Sequence, residues 1–535
     1  MEARCGVSDR PTVGVARRGA SSDFVLRGCS YNTPTFTYRF ANATGDIPGA
    51  NEQAAIQRAF RTWASALCGV SFQQTTATTA NFTVGWFTGA HGDNSAFDGV
   101  GNTLAHAFYP PPCGGANAGA LHFDDAETWS LSGANQTFDT ETVALHEIGH
   151  LLGLDHSTVP GAVMFRSYQG VRRQLTQDDI DGIRRLYPAL CRQGDSGQQA
   201  GFVAEIAVAR QNEGRLLTAV RAQNGTLKLI GWRLAADASL TRTADSGNQA
   251  GAATSIDIVR SISGSRFITA CRTDAGRLML ISWQVADDGT SIQRRGDSGT
   301  LAGAASLIRI VTPRSQRWVT ACRTGEGDLR VIAWGMQPGD TFTRLADSGT
   351  QAGNVTDIDM VALDADRVLT AVRNSAGNLL LIVWRVTDNA VQRLGDSGNQ
   401  AGSSRLIKVA LDPSGHAVTA VKTASDTLKL ITWRIQPSGV IQRLGDSGDL
   451  AGVTTGHDLA MATDGRMATA VSTESGNLKV ILWQTTSSGA VTRWGDSADL
   501  AGAATLPTLG QPLGGTIVTA VRAGDSSLKL ITWGT

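Results

Sequence analysis

The sequence has no excess of charge of either sign. Its 47 lysines and arginines are balanced by 47 aspartates and glutamates, so no overall field would attract the chain to nucleic acid or to an anionic membrane. Lysine itself is scarce, with six residues and none before Lys228. The composition argues against nucleic acid as a partner.

Long apolar runs are also missing. The longest lies at residues 379–384, far below the ~18 residues that cross a bilayer. Residues 1–4 read MEAR, without the apolar segment of an export signal. We expect no membrane span, and no signal peptide is recognisable in the given chain.

The length and composition indicate a folded protein of at least two domains. The chain has 535 residues, whereas single cores stop growing near ~250 to 300 residues. Apolar residues make up 41% and charged residues 18%, and there are 61 glycines. This balance excludes extended disorder, coiled coil and collagen, and it favours short turns.

Seven repeats of about 50 residues fill positions 190–535. Two markers recur once in each repeat, a tryptophan that closes an apolar run and an aspartate within a [GA]DS[GA] tetrapeptide. The tryptophans are Trp232, Trp283, Trp334, Trp384, Trp433, Trp483 and Trp533, and the aspartates are Asp195, Asp245, Asp297, Asp347, Asp396, Asp446 and Asp496. Such a period indicates a repeat architecture.

Each repeat contains four short strand-like segments bounded by turn residues. In the first repeat these are residues 204–210, 215–221, 226–234 and 240–246. Four strands repeated seven times predict a seven-bladed β-propeller. A β-trefoil or a β-helix is the alternative, although seven is not divisible by three and 50 residues is long for one coil.

The ring of blades is expected to close by exchange of a strand between its two ends. The last repeat stops just after Trp533 and lacks a fourth strand, whereas residues 188–197 supply a spare one ending in GDSG. We expect this segment to complete the last blade.

Helices and strands alternate before residue 190. Residues 52–67 place Ile56, Phe60 and Trp63 on one helical face, residues 139–153 predict a second helix, and residues 176–187 predict a third that begins with a capping box.

The second helix contains the motif HEIGHLLGLDH at residues 146–156. His146 and His150 lie one turn apart, so both imidazoles can bind one zinc ion, and Glu147 projects beside them. Gly153 permits a sharp turn that returns His156 as a third ligand. Three neutral imidazoles leave one tetrahedral position for water, as in a catalytic zinc site.

This motif, with Met164 following it, resembles the metzincin zinc peptidases and, among them, the matrixins. Residues 55–66, 91–99, 104–110, 121–129 and 175–188 are similar to matrixin segments in the same order. The resemblance implies an α+β metzincin catalytic domain in which Met164 supports the zinc and Tyr168 lines the S1′ pocket. Arg166 stands where the family usually has proline, which leaves the preference of that pocket open.

The resemblance also implies further metal sites. A structural zinc would be held by His91, Asp93, His106 and His122, and one calcium ion by Asp98, Gly99, Gly101, Thr103, Asp124 and Glu127. These donor sets suit the two metals. A second calcium site is expected to be weak or absent, because Asn81 and Ala120 replace acids.

Residues 2–9 resemble the matrixin cysteine switch, in which Cys5 would bind the catalytic zinc in a latent state. The segment departs from the family pattern, and a chain-end cysteine without function is the alternative. We therefore expect a latency segment at residues 1–23, the peptidase domain at 24–187 and the propeller at 188–535.

Two repeat features allow alternatives. Cys271 and Cys322 occupy equivalent positions in neighbouring blades and are interpreted as buried small residues rather than a disulfide. The GDSG segments resemble a serine nucleophile motif, but their repetition favours aspartate and serine side chains that cap turns.

Together these patterns predict a secreted, monomeric zinc endopeptidase that hydrolyses protein or peptide substrates by Glu147-assisted attack of a zinc-bound water. Its propeller would bind substrate or a surface. The alternative is a lectin-like or protein-binding propeller, with a glycan or protein ligand, whose peptidase domain serves self-processing alone.

Overall fold

The structure is a computed structural model that describes residues 4–5, 24–31, 35–68, 70–187, 190–262, 264–448, 450–462, 465–498, 500–513 and 516–534. The chain divides into two compact units, the first ending at Cys191 and the second formed by Arg192–Gly534.

The described residues of the first unit form ten strands and three α-helices. The strands are β1 Arg4–Cys5, β2 Val25–Leu26, β3 Thr35–Phe40, β4 Ser71–Gln74, β5 Phe82–Phe87, β6 Thr103–Ala107, β7 Ala120–Asp124, β8 Trp129–Ser130, β9 Phe138–Asp139 and β10 Leu154–Asp155. The helices are α1 Asn51–Ser65, α2 Thr140–Leu151 and α3 Gln177–Ile183, with a 3₁₀ turn at Gly115–Asn117.

A six-stranded sheet forms the centre of this unit, in the order β1, β6, β7, β5, β3, β4. Strands β7, β5, β3 and β4 pair in parallel, and β6 runs antiparallel to β7. The residues predicted to share one face of α1, Ile56, Phe60 and Trp63, are buried in a common core with α2 and the sheet. The Trp63 indole N–H donates to the Leu145 carbonyl (2.8 Å).

The third helix is shorter than predicted. It begins with the expected capping box of Thr176 and Asp179 but ends at Ile183, four residues before the predicted end. Arg185 and Leu186 donate their backbone N–H groups three residues back instead of four, so the last segment tightens into turns.

Two disulfide bonds, Cys29–Cys113 and Cys68–Cys191, join distant parts of the first unit. They account for four of the seven cysteines. The side chain of Cys5 lies outside the described residues, so its role stays a prediction.

The second unit contains seven four-stranded sheets in its described residues. Blades 1 to 3 are β12 Val203–Asn212, β13 Arg215–Ala222, β14 Leu227–Leu234, β15 Leu240–Asp245; β16 Ala253–Arg260, β17 Arg266–Thr273, β18 Leu278–Val285, β19 Ile292–Asp297; and β20 Ala305–Arg314, β21 Arg317–Thr324, β22 Leu329–Gln337, β23 Thr341–Asp347. Blades 4 to 6 are β24 Val355–Ala362, β25 Arg367–Asn374, β26 Leu379–Val386, β27 Val391–Asp396; β28 Ser404–Leu411, β29 Ala417–Thr423, β30 Leu428–Ile435, β31 Ile441–Asp446; and β32 Gly456–Met461, β33 Met467–Ser472, β34 Leu478–Thr485, β35 Val491–Asp496. Blade 7 consists of β36 Ala504–Leu509, β37 Ile517–Ala523, β38 Leu528–Gly534 and β11 Cys191–Asp195.

The predicted fold class is confirmed for both units, with α+β architecture in the first and a seven-bladed propeller in the second. The strand exchange is also present, because β11 pairs with β38, and Ser196 and Leu530 exchange backbone and side-chain hydrogen bonds.

The two sequence markers, the tryptophan and the aspartate–serine pair of the [GA]DS[GA] tetrapeptide, form the same hydrogen bonds in every blade. Each marker tryptophan donates its indole N–H to a threonine on the second strand of its blade, for example Trp384 to Thr370 at 2.9 Å. Each marker serine accepts a backbone N–H from the third strand, and each marker aspartate accepts an N–H of the turn that follows it. The turn-capping interpretation of the DS pairs is confirmed.

Cys271 and Cys322 are both buried and free, and burial raises the pKa of each thiol to about 12. They pack as small apolar side chains, as predicted. Separately, no helix among the described residues is long and apolar enough to cross a membrane.

Strand exchange predicts a local effect of Ser196→Ala. This change removes the acceptor of the Leu530 N–H (3.0 Å) and should cost about 1 to 3 kcal/mol, because a buried donor is left unsatisfied. Hydrogen exchange should accelerate first in β38. Ser348→Ala is the matched control, because it removes the same bond within blade 3 and should accelerate exchange in β22. Unchanged protection of β38 in Ser196→Ala would contradict closure by β11.

Candidate metal centre and active site

Helix α2 is anchored at its first turn by Asp139. The Asp139 carboxylate is fully buried and accepts hydrogen bonds from the backbone N–H and hydroxyl of Thr142. It also forms an ion pair with Arg173 at 2.5 Å. Burial disfavours the charged form, but the bonds from Arg173 and Thr142 outweigh it and lower the pKa of Asp139. Asp139 thus connects the first turn of the helix that bears the predicted ligands to Thr142 within the helix and to Arg173 outside it.

The three histidines of the motif converge at one point. One ligand atom from each of His146, His150 and His156 lies within 4.8 Å of the other two. The Nδ1 atoms of His146 and His150 each lie 2.7 Å from a backbone carbonyl, those of Val163 and Leu154. Because these protons are committed to carbonyls, the Nε2 atoms, 3.1 Å apart, present lone pairs to each other. A divalent cation between them relieves that contact, so the donor set fits zinc.

Burial keeps the imidazoles of His146 and His150 neutral, as zinc ligands must be. Desolvation, together with the nearby His156, lowers the pKa of His146 to about 3. Desolvation and the neighbouring rings also lower the pKa of His150 well below its usual value.

Two glycines are required by close approaches at this site. A Cβ on Gly149 would lie 2.2 Å from the Met164 sulfur, which packs directly beneath α2. Gly153 has φ +105°, and a Cβ there would lie 2.3 Å from the Cys29 carbonyl oxygen. The motif therefore needs glycine for packing as well as for the turn.

Asp179 holds the segment that contains Met164. Its carboxylate accepts the backbone N–H groups of Val163 (2.9 Å) and Met164 (3.0 Å) as well as its capping bond from Thr176. The capping box was visible in the sequence, but this second role was not, because the donors Val163 and Met164 lie 16 and 15 residues before the acceptor and meet it only in the fold.

Glu147 is almost completely buried beside the histidines. With His146 it lines a cavity whose apolar walls include Val143, Val163 and Tyr168. Arg166 and Arg172 also line this cavity, and Arg172 donates to the Ala162 carbonyl (3.1 Å). Tyr168, for which the resemblance implied a place in the S1′ pocket, lines this cavity, and its role stays a prediction.

His91, Asp93, His106 and His122 form a second cluster. One Asp93 carboxylate oxygen lies 2.8, 2.7 and 2.8 Å from ring nitrogens of His91, His106 and His122, respectively. His91 Nδ1 lies 2.8 Å from the Gly89 carbonyl, so its Nε2 faces His122 Nδ1 (3.1 Å) as an acceptor. Burial lowers the pKa of His106 to about 4. Three neutral imidazoles and a carboxylate fit a closed zinc site.

The predicted calcium ligands lie together in the loop before β6 and at the end of β7. Asp124 accepts from the Gly99 N–H, Glu127 from Gly101 and Asp98 from Thr103. Burial raises the pKa values of Asp124 and Glu127, so a cation would favour their charged forms. The structure places the predicted calcium ligands close together. Their carboxylates accept hydrogen bonds from backbone N–H groups here. At the position of the second calcium site, Asn81 accepts from Thr37.

Strand β6 is the second strand of the six-stranded sheet and lies next to α2. The short strand β1 pairs with it in parallel, with Arg4 opposite Thr103 and Cys5 opposite Ala105. The backbone around Cys5 is therefore bound to the strand that borders the candidate active site. The Cys5 side chain lies outside the described residues.

A buried helix with two histidines one turn apart, a third histidine after a glycine turn and a methionine beneath defines a metzincin-type zinc peptidase site. Comparisons narrow this class. Residues 30–188 match the family model described as Matrixin. Residues 30–188 thus form a matrixin domain, a zinc metalloendopeptidase domain.

Individual matrixins are similar to the same region. Karilysin of Tannerella forsythia is 42% identical over 166 residues, covering 31% of this chain and 35% of karilysin. Matrilysin of Rattus norvegicus is 40% identical over 190 residues, covering 34% of this chain and 65% of matrilysin. Interstitial collagenase of Bos taurus is 40% identical over 188 residues, 34% of this chain and 36% of the collagenase. The chain thus spans less than two thirds of each of these relatives.

The buried Asp139–Arg173 pair predicts a pH-dependent stability. Asp139→Asn should destabilise the first unit by about 1 to 3 kcal/mol near neutral pH, because a charged hydrogen-bonding partner is lost. A lowered folded pKa contributes stability above the ordinary pKa of 3.8, and this contribution disappears as the pH falls through the folded pKa.

The difference in melting temperature between wild type and Asp139→Asn should therefore be constant above about pH 5 and shrink below the ordinary pKa. Asp181→Asn serves as control, because Asp181 accepts from the Gln177 amide rather than from an arginine. A difference that grows in acid would contradict the assignment.

Proposed function

We propose that the chain is a secreted zinc-dependent endopeptidase. The observation that supports this most directly is the convergence of His146, His150 and His156 beside the buried Glu147. Residues 24–187 form the proposed peptidase domain and residues 188–535 the propeller.

The chemistry of the site follows from its residues. A zinc ion held by the three imidazoles supplies Lewis acidity toward the scissile carbonyl and toward water. Glu147 takes a proton from the attacking water and returns it to the leaving amine. Met164, packed against Gly149, holds the helix and the loop at a fixed separation.

Protein or peptide substrates fit the shape of this region. A substrate in extended conformation would pair with the outer edge of β6 through its backbone in place of the short strand β1, because a strand edge that is free of β1 offers unpaired N–H and carbonyl groups. The cavity bordered by Val143, Val163 and Tyr168 would receive an apolar side chain beside the scissile bond as the S1′ pocket. Arg166 and Arg172 would limit its depth.

The cluster of His91, Asp93, His106 and His122 is proposed as a structural zinc site. The carboxylates of Asp98, Asp124 and Glu127 are proposed to bind one calcium ion. Both sites would fasten loops against the strands next to α2, so metal binding stabilises the folded state.

Secretion is supported by the chemistry of the first unit. Two disulfides persist in oxidising compartments and are uncommon in the cytosol, and calcium sites suit extracellular concentrations of that ion. A monomer is proposed, with the propeller binding substrate or a surface.

Glu147→Ala should abolish peptide cleavage while the fold persists, because the change removes the base but no metal ligand. We expect at least a hundredfold loss in the initial rate on a quenched peptide. Two zinc ions per chain should remain by metal analysis. Glu141→Gln, on the same helix, is the control and should retain most activity. Residual activity of Glu147→Ala above one hundredth of wild type would refute the role.

We further propose that Cys5 restrains the enzyme by binding the catalytic zinc as a thiolate, a soft ligand that displaces water. The pairing of β1 with β6 supports this proposal, because it keeps the backbone of Cys5 beside the active site. A short segment loses conformational entropy when it becomes ordered at the active site. This loss weakens the binding of Cys5 to zinc, so inhibition should be partial.

Cys5→Ser should raise the initial rate of the full chain several-fold, because a hydroxyl binds zinc more weakly than a thiolate. A chain that begins at Phe24 should be at least as active as Cys5→Ser. Equal rates for wild type, Cys5→Ser and the shortened chain would exclude a switch at Cys5.

A further inference from the structure

The propeller contains the same concave pocket in two blades. The pocket in blade 1 has a volume of about 300 Å³ and that in blade 3 about 280 Å³. Their lining residues occupy equivalent positions, each 102 residues apart. In blade 1 these include Gly201, Val203, Val220, Lys228, Ile230 and Arg242, and in blade 3 Gly303, Ala305, Cys322, Arg330, Ile332 and Arg344.

Each pocket has one more positive than negative side chain among its lining residues. In blade 1, Lys228 and Arg242 face Asp245. In blade 3, Arg330 and Arg344 share the pocket with Glu326. Both pockets therefore have two cations among their lining residues.

One of the two cations in each pocket, Arg242 or Arg344, forms an ion pair and a hydrogen bond with other residues of the propeller. Arg242 pairs with Asp245 and donates to the Gln199 carbonyl (2.9 Å). Arg344 pairs with Asp347 and donates to the Leu301 carbonyl (3.2 Å). The second cation, Lys228 or Arg330, is the one that the blade does not need for these bonds.

The lysines of the chain are concentrated at this second position. Four of the six lysines occupy it, namely Lys228, Lys429, Lys479 and Lys529. In blade 7, Lys529 lies 3.2 Å from the marker Asp195, so the lysine reaches the same aspartate as the arginine does.

The fold itself does not require a cation there. Met279 and Leu380 stand at the equivalent position in blades 2 and 4, whose strands β18 and β26 have the same pairing. The position alternates with buried leucines and is half-exposed. Five of seven copies are nevertheless cationic. In blade 7 the ion pair of Lys529 with Asp195 accounts for the cation, whereas Lys228 and Arg330 form no ion pair among the described residues, which points to a ligand at the pockets of blades 1 and 3.

We propose that these pockets bind the carboxylate or sulfate groups of an acidic polysaccharide. A volume near 300 Å³ is at the small end of ligand pockets (about 300 to 1,000 Å³) and suits one sugar residue. Val220 and Ile230, which are almost completely buried, form the apolar floor of the blade 1 pocket, and the cation would bind the acidic group of the sugar. Equivalent pockets in two blades match a polymer with a repeated charge, and weak single contacts add up through multivalency. This proposal names the surface ligand of the propeller and is independent of the zinc site.

The test uses the full chain with Glu147→Ala, so that cleavage does not affect binding. Immobilised heparin presents sulfates, polygalacturonate presents carboxylates, dextran is neutral and polyglutamate is an acidic peptide. The pocket variant replaces Lys228 and Arg330, one from each pocket, with methionine, the residue that blade 2 has at the equivalent position.

The control variant replaces Arg233 and Arg385 with methionine. These arginines are exposed and follow marker tryptophans on strands β14 and β26, so the change in net charge is the same. Melting temperatures verify that both variants fold.

We expect at least tenfold tighter binding to heparin or polygalacturonate than to dextran, and the ratio between the two identifies the acidic group. The pocket variant should lose at least tenfold in affinity and the control less than twofold. Equal losses in both variants, no preference over dextran, or equal binding of polyglutamate would each overturn the proposal. Peptide cleavage by the pocket variant with Glu147 intact should match wild type, so the two proposals can fail separately.

Discussion

The first unit depends on one constraint, the approach of two unprotonated imidazole nitrogens, those of His146 and His150, to 3.1 Å. The lone pairs of these two nitrogens repel each other, so the arrangement is stable only when both nitrogens bind the same cation and when neither ring can rotate out of this position. The rings are fixed by carbonyls of Val163 and Leu154. Asp179 fixes the backbone of Val163 in turn, and Asp139 fixes the start of the helix, so acids far from the reaction determine its geometry.

The second unit follows a different principle, in which each blade repeats the same buried hydrogen bonds. Neighbouring blades are joined by carboxylates on their first strands, where the backbones do not pair. Asp257 accepts the Ile310 N–H, Asp359 accepts that of Val409 and Asp458 that of Leu509. Burial raises the pKa of Asp257 to about 6, so these links are costly charges that are stabilised by backbone donors and by Arg309 and Lys408.

The parts of this architecture that could be predicted from sequence are those with a fixed local spacing. The zinc motif, the tryptophan period and the spare strand at 188–197 are of this kind. The disulfide partners Cys29 and Cys113, the second role of Asp179 and the Arg173–Asp139 pair join residues without any fixed separation. They arise from the packing of distant segments, and the early end of α3 at Ile183 likewise depends on how the following turns pack.

A comparison of equivalent positions in the seven blades distinguishes residues that the fold requires from residues that it does not. Positions that the blade requires keep one residue type in all copies. The tryptophan and its threonine form the same buried bond in each blade, the marker serine forms another, and the marker aspartate caps the turn that follows it. The position of Lys228 varies in chemistry between lysine, arginine, methionine and leucine, yet the strand pairing there is unchanged. The fold accepts different side chains at this position, yet the residue is cationic in five copies and acidic in none. What the propeller binds is the best explanation of this preference.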